Sequence, residues 1–109
     1  MKAFREMATA LSRVDDAALI EAFFTDILTA SEAETIALRW ELSKELLEGK
    51  SQRAIAAELH VSLCKITRGS RELQKKNSAL RRVIEEYLSS KKSTRKGDKN
   101  AGKSIPYRR

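Results

Sequence analysis

Residues 51–73, SQRAIAAELHVSLCKITRGSREL, decide the fold, because they read as two short helices parted by a turn of two or three residues. Ser51 and Ser62 each stand just before a helical run, where a hydroxyl can accept from an orphan backbone N–H of the first turn. Helices over 52–59 and from Leu63 onward leave only His60 and Val61 between them, which is the helix-turn-helix spacing. The motif asks for a small residue where the helices come closest, met by Ala56. It also asks for apolar residues between them, met by Ile55, Leu59, Val61 and Ile66. His60 is the departure: that turn position commonly needs positive φ, where glycine is at ease and histidine only an occasional visitor.

In such a motif the second helix enters the major groove and its first residues approach base edges, while the first helix crosses the backbone. The second helix here offers Ser62, Leu63, Cys64, Lys65, Thr67 and Arg68. Apart from Lys65 and Arg68 these groups are small or apolar, so few bidentate base contacts are available. Specificity is expected to lean on water, DNA shape and thymine methyl groups.

The charge pattern agrees with a phosphate-facing segment. The 109-residue chain carries a net charge of +7, but residues 91–109 hold eight Lys and Arg against one Asp, so this tail alone accounts for it. The first 90 residues balance. Within them, positions 51–76 hold six basic residues against two acidic, and positions 15–48 hold two against nine. The electropositive part of the body is therefore the helix-turn-helix itself.

Around it the chain is helical throughout. Phe4, Met7, Leu11 and Val14 recur at helical spacing, and Leu19, Ile20, Phe23, Phe24, Ile27 and Leu28 form a wider stripe, so 3–28 holds two helices or one bent one. Thr29 and Glu32 form a T-x-x-E capping box, with Ser31 and Glu34 a second possibility, ahead of a helix over about 30–48. That helix is apolar on more than one face and requires neighbours on two sides, Trp40 being read as core. Gly49 suits its left-handed stop. A last helix, about 78–89, shows Leu80, Val83, Ile84, Tyr87 and Leu88 at amphipathic spacing. The expectation is an all-α fold of about six helices over residues 1–89. Residues 90–109, almost without apolar side chains, are expected to be a basic disordered tail.

The run LTASEAETIALRWELSKELLEGKSQRAIAAELHVSLCKITRGSREL, residues 28–73, resembles the Trp repressor family in LT before a helix, an Arg ten residues on, ELL.G, SQR and above all ITRGS. The likeness extends more weakly over 4–27 and 78–88. It implies an intertwined all-helical homodimer that binds L-tryptophan as corepressor and then a palindromic double-stranded DNA operator, controlling tryptophan biosynthesis or uptake. It further implies that Arg39 and Arg68 sandwich the indole ring, Arg68 also reaching the carboxylate, with Thr29 at the pocket and Gly69 leaving room beside the ligand. Leu63, Cys64 and Thr67 would face base edges, and Gln52 and Arg53 would meet phosphates. Arginine suits the pocket role, since it is planar, stacks on aromatic faces and pairs bidentately with carboxylates. Glu72 stands where the family has a serine near the ligand's amino group. His60 and Cys64 replace smaller residues, and one residue is missing at Lys50, the entrance to the motif.

Two other readings remain open at this level: a DNA-binding regulator with a different effector or none, and a helix-turn-helix adaptor that binds protein. An enzyme is not expected, because the single His and single Cys, four residues apart, form no nucleophile, base and orienter. A lone cysteine permits neither an internal disulfide nor a multi-cysteine metal site, so no metal is expected. No segment has the length of a signal peptide's apolar run or of a membrane span, and the expectation is a soluble cytoplasmic protein without membrane contact.

Overall fold

The computed structural model describes residues 1–97, with side chains to Lys91. Six helices follow one another among the described residues: α1 (Lys2–Ser12), α2 (Ala17–Ile27), α3 (Ala30–Leu47), α4 (Gln52–Leu59), α5 (Leu63–Gln74) and α6 (Ala79–Gly97). The first 28 residues form two helices, not one bent one. Asp16 makes the break, its Oδ1 accepting from the backbone N–H groups of Ala18 at 3.1 Å and Leu19 at 3.3 Å.

The Thr29 capping box closes in both directions: Thr29 Oγ1 accepts from Glu32 N at 3.1 Å and Glu32 Oε1 accepts from Thr29 N at 2.9 Å. Ser51 and Ser62 cap α4 and α5 through the N–H groups of Ala54 at 3.1 Å and Lys65 at 3.3 Å. Gly49 turns the chain out of α3 at φ +97°. Each of these boundaries is thus set by a residue with a specific backbone function.

Helix α3 is the post around which α4, α5 and α6 are arranged. Leu42, Ile55 and Ile66, one from each of α3, α4 and α5, are almost completely buried together, with Leu38, Leu46, Ala56, Leu59 and Val61 packed against them. Trp40 meets Tyr87 of α6 edge to face, with ring centroids 5.9 Å apart. It belongs to the helix packing, as its apolar surroundings on α3 suggest. At the far end of α5, Arg81 of α6 donates from Nη1 to the Leu73 carbonyl at 3.4 Å and from Nε to Glu85 at 2.9 Å. Neither α1 nor α2 has a buried residue, and Phe4, Leu19, Phe24 and Ile27 are exposed.

The amphipathic pattern ends α6 at Ser89, whereas the helix runs to Gly97, into the segment expected to be disordered. Lys and Arg are good helix formers, so the backbone continues where apolar burial stops. The remainder of that tail lies outside the described residues.

His60 takes the left-handed conformation, φ 57° and ψ 47°, that the turn requires. A residue with a Cβ pays about 1 kcal/mol or more there, while glycine loses about 0.5–1 kcal/mol more chain entropy on folding. His60→Gly is therefore expected to raise stability by about 0.5 kcal/mol, read as a small upward shift of the urea midpoint with an unchanged slope.

Candidate nucleic-acid interface

The two helices of the motif are locked by the pairing of α4's first residue with α5. Thr67 Oγ1 donates to Gln52 Oε1 at 3.2 Å, and both side chains are half-buried. The geometry brings these two candidate DNA-binding residues together, so the Thr67 hydroxyl fixes the angle between helices and is already engaged before DNA arrives. Neither residue type announces this.

Around that lock the surface is basic and open. Arg53, Ser62, Leu63, Cys64 and Lys65 are exposed, Leu63 being 45% accessible. These side chains stand at the start of α4 and the start of α5, the two places from which a helix-turn-helix meets backbone and bases. Cys64 is a free thiol on this face.

Arg68 and Gly69 follow on α5, where that helix packs on Leu42 of α3. A Cβ on Gly69 would lie 2.6 Å from Leu42 Cδ1, so any larger residue there would have to displace the end of the Leu42 side chain. The direction a side chain would take from Gly69 is thus that of Leu42. Arg68 on α5 and Arg39 on α3 are both exposed, and each is a near neighbour in sequence of one side of this contact. Thr29 is exposed at the start of α3 and is spent on its capping box. Glu72 is exposed and ion-paired at 3.1 Å with Lys75, the residue that ends its helix.

One group with a bearing on the motif escaped the sequence pattern. Glu45, on α3, is 6% exposed, and its Oε1 accepts no hydrogen bond from the described residues. Lys50, in the α3–α4 connection, lies 3.4 Å from that oxygen and 2.6 Å from Glu58 Oε1 on α4. Burial, with Glu41 one turn back on the helix, pushes the Glu45 carboxyl above its ordinary value of 4.5. Glu41 is pulled the other way: burial opposes its charge, but the hydrogen bond with Glu45 and the Lys44 ammonium at 3.1 Å outweigh it.

A carboxyl whose pKa is raised by folding contributes most when protonated, below its unfolded value, and loses that contribution as pH rises through its folded value. Glu45→Gln supplies a permanently neutral isostere that can still donate to Glu41. It is expected to stabilise the protein at pH 7 by about 1 kcal/mol. Unfolding titrations at several pH values should show this advantage shrinking as pH falls toward 4.5.

An all-helical body built round one helix, with a basic, capped helix-turn-helix exposed on it, defines a DNA-binding protein of the helix-turn-helix class. The family model for the Trp repressor protein matches residues 2–88. The chain belongs to the Trp repressor family, and is accordingly a DNA-binding regulator and not an enzyme. A "Trp operon repressor homolog" of Xylella fastidiosa (strain M23) is 36% identical over 91 residues, which cover 83% of this chain and 92% of the relative. Proteins described in the same words are 42% identical over 60 residues in Vibrio parahaemolyticus, covering 54% of this chain and 58% of that one. In Chlamydia trachomatis serovar D the figures are 36% over 67 residues, 61% and 71%. No solved structure matches the chain significantly. Among the described residues no helix is long and apolar enough to cross a membrane.

Proposed function

We propose that the protein is a transcriptional repressor that uses L-tryptophan as corepressor and, as a homodimer, binds a palindromic operator in genes of tryptophan biosynthesis or uptake. The observation that carries the effector reading is the position of the two arginines. Arg39 projects from α3, the centre of the fold, and Arg68 from α5, the reading helix, beside the contact of Leu42 with Gly69. A planar zwitterion held between the two guanidinium groups would tie the tilt of α5 to α3. Thr29, Gly69 and Glu72 complete the proposed site. Glu72 can offer a carboxylate to the ligand's ammonium once it leaves Lys75.

The mechanism is a population shift: the ligand favours the tilt at which both reading helices of a dimer meet successive major grooves. Leu63, Cys64 and Lys65 would then approach base edges, Ser62 and Arg53 the backbone, with Gln52 and Thr67 holding the helices in register. The dimer reading is supported by the apolar surface of the single chain. Phe4, Leu19, Phe24, Ile27, Ile36 and Val83 are each more than 40% exposed, and α1 and α2 bury nothing within the single chain, as expected of helices that a second chain covers.

The test is a calorimetric titration of the protein with L-tryptophan, followed by operator binding with and without it. Saturation near one ligand per chain, with DNA affinity rising on ligand binding, is the expected result. Ligand binding with equal DNA affinity in both states would refute the mechanism. Absence of any ligand binding would leave a helix-turn-helix regulator with another effector or none.

A further inference from the structure

Glu58 sits where two general rules disfavour an acid. It lies in the last turn of α4, at the partially negative end of the helix. It is also one of two acids in the basic segment 51–76, the part of a helix-turn-helix that meets DNA. The other, Glu72, is answered by Lys75 three residues on. One turn before Glu58 stand Ala54 and Ile55, and its partner is instead Lys50, in the α3–α4 connection, at 2.6 Å.

Lys50 holds a second carboxylate as well. Its Nζ lies 3.4 Å from Glu45 Oε1, the buried oxygen of α3. The other ion pairs among the described residues link positions three or four apart, so Lys50 alone ties two helices together through charge. The Glu58 hydrogen bond, helped by Glu45, keeps the ammonium above its ordinary pKa of 10.5 and so fully charged at neutral pH. The backbone of Lys50 is fixed on both sides. Its N–H donates to the Glu45 carbonyl at 3.1 Å past the left-handed Gly49, and the next residue, Ser51, caps α4.

This clasp has a defined place relative to the core. Leu42 of α3 and Ile55 of α4 share the apolar cluster. Glu45 follows Leu42 by three residues and Glu58 follows Ile55 by three, so the clasp is a second point of contact, about one turn further along each helix. Apolar burial is non-directional, whereas a cation hydrogen-bonded between two carboxylates restricts the angle between the helices that carry them. Helix α5 is bonded to α4 through Thr67 and Gln52, so an angle set at Lys50 is carried to the reading helix.

We propose that Lys50 is a positioning residue for DNA binding: by holding Glu45 of α3 and Glu58 of α4 on one ammonium, it sets the angle at which the α4–α5 unit stands on the core helix. The proposal rests on DNA binding and not on the identity of the effector, and its test separates the two.

The full-length parent first selects a duplex from a random-sequence pool, with and without L-tryptophan. That duplex is then titrated with each variant at a temperature where melting curves show it to be folded. Glu58→Ala is the main variant. Alanine is the better helix former, and the change removes an acid from the motif that meets phosphates, so helix propensity and long-range attraction both favour it. The clasp requires the opposite for binding: affinity about 10-fold weaker, with a melting temperature within a few degrees of the parent's. Lys50→Met is expected to weaken binding at least as much, the double variant to be no weaker than Lys50→Met, and Lys50→Arg to bind like the parent. Lys50→Met also leaves Glu45 unpaired; should that variant not fold, Glu58→Ala and Lys50→Arg carry the test.

Binding by Glu58→Ala equal to or tighter than the parent's overturns the proposal and leaves DNA binding intact. Losses from Lys50→Met and Glu58→Ala that multiply in the double variant overturn it too, because Lys50 would then be acting on its own as a phosphate contact. A parent chain that binds no duplex in either condition overturns both.

Discussion

Arg68→Ala is expected to weaken L-tryptophan binding by more than 100-fold, measured calorimetrically without DNA present. The size follows from what the guanidinium supplies in the proposed site. It gives a charge-assisted, bidentate bond to the carboxylate and one flat wall for the indole. Losing the partner of a desolvated charge costs about 2–5 kcal/mol, and about 3 kcal/mol is already a factor above 100. Arg68 is available for that role, since it is exposed and among the described residues makes no ion pair of its own. Arg68→Lys keeps the charge but loses both the fork and the plane, so it should fall between parent and alanine variant.

Arg39→Ala removes a stacking wall only. A loss of about 1–2 kcal/mol, near 10-fold, is expected. If Arg68→Ala binds tryptophan as the parent does, the ligand does not sit between these helices. The reading with a different effector or none then becomes the stronger one. Because α5 carries both Arg68 and the residues that face DNA, operator affinity alone cannot distinguish lost corepressor from a lost phosphate contact. The ligand titration can.

What was legible in the chain was whatever a local backbone requirement dictates. Ser51, Ser62 and the Thr29–Glu32 pair mark helix starts because only short polar side chains reach the orphan N–H groups, and the structure begins α4, α5 and α3 at those residues. His60 was legible as the anomaly of the turn for the same reason, and its left-handed backbone is the consequence. Interactions that join distant residues were harder to see. The contact at Gly69 depends on Leu42, and the Thr67–Gln52 bond depends on the crossing angle of two helices. Neither follows from the period of a single helix. Glu45 reads in sequence as one more polar residue of α3, and only the seating of the α3–α4 connection buries it. The extension of α6 past Ser89 is the converse case: the apolar stripe ends where burial ends, while Lys and Arg allow the helix to run on to Gly97.

Ile66→Ala is expected to cost about 3–4 kcal/mol, lowering the melting temperature by some 10–20 °C. Ile66 is completely buried and packs with Leu42 of α3 and Ile55 of α4, so its side chain fills the space where all three helices meet. The closeness of α5 to α3 at Gly69 leaves the backbone little freedom to collapse into the vacated volume, which puts the cost in the upper part of the range for such truncations. Lys65 and Thr67, on either side, remain chemically intact, yet operator binding should weaken with stability because the reading helix is no longer held at one angle.

The contrast that makes this decisive is Leu63→Ala, one turn earlier on the same helix. Leu63 is 45% exposed, and truncating it should change stability by no more than about 0.5 kcal/mol. If Leu63 faces base methyl groups, that variant loses operator affinity at unchanged stability, and Ile66→Ala loses both together. A stable Ile66→Ala protein would mean that α5 is held chiefly by contacts outside this cluster, such as the Arg81–Leu73 bond or a second chain. The same two variants measured over a range of protein concentrations separate those cases, because support from a partner makes the melting temperature rise with concentration, whereas an intrachain bond does not.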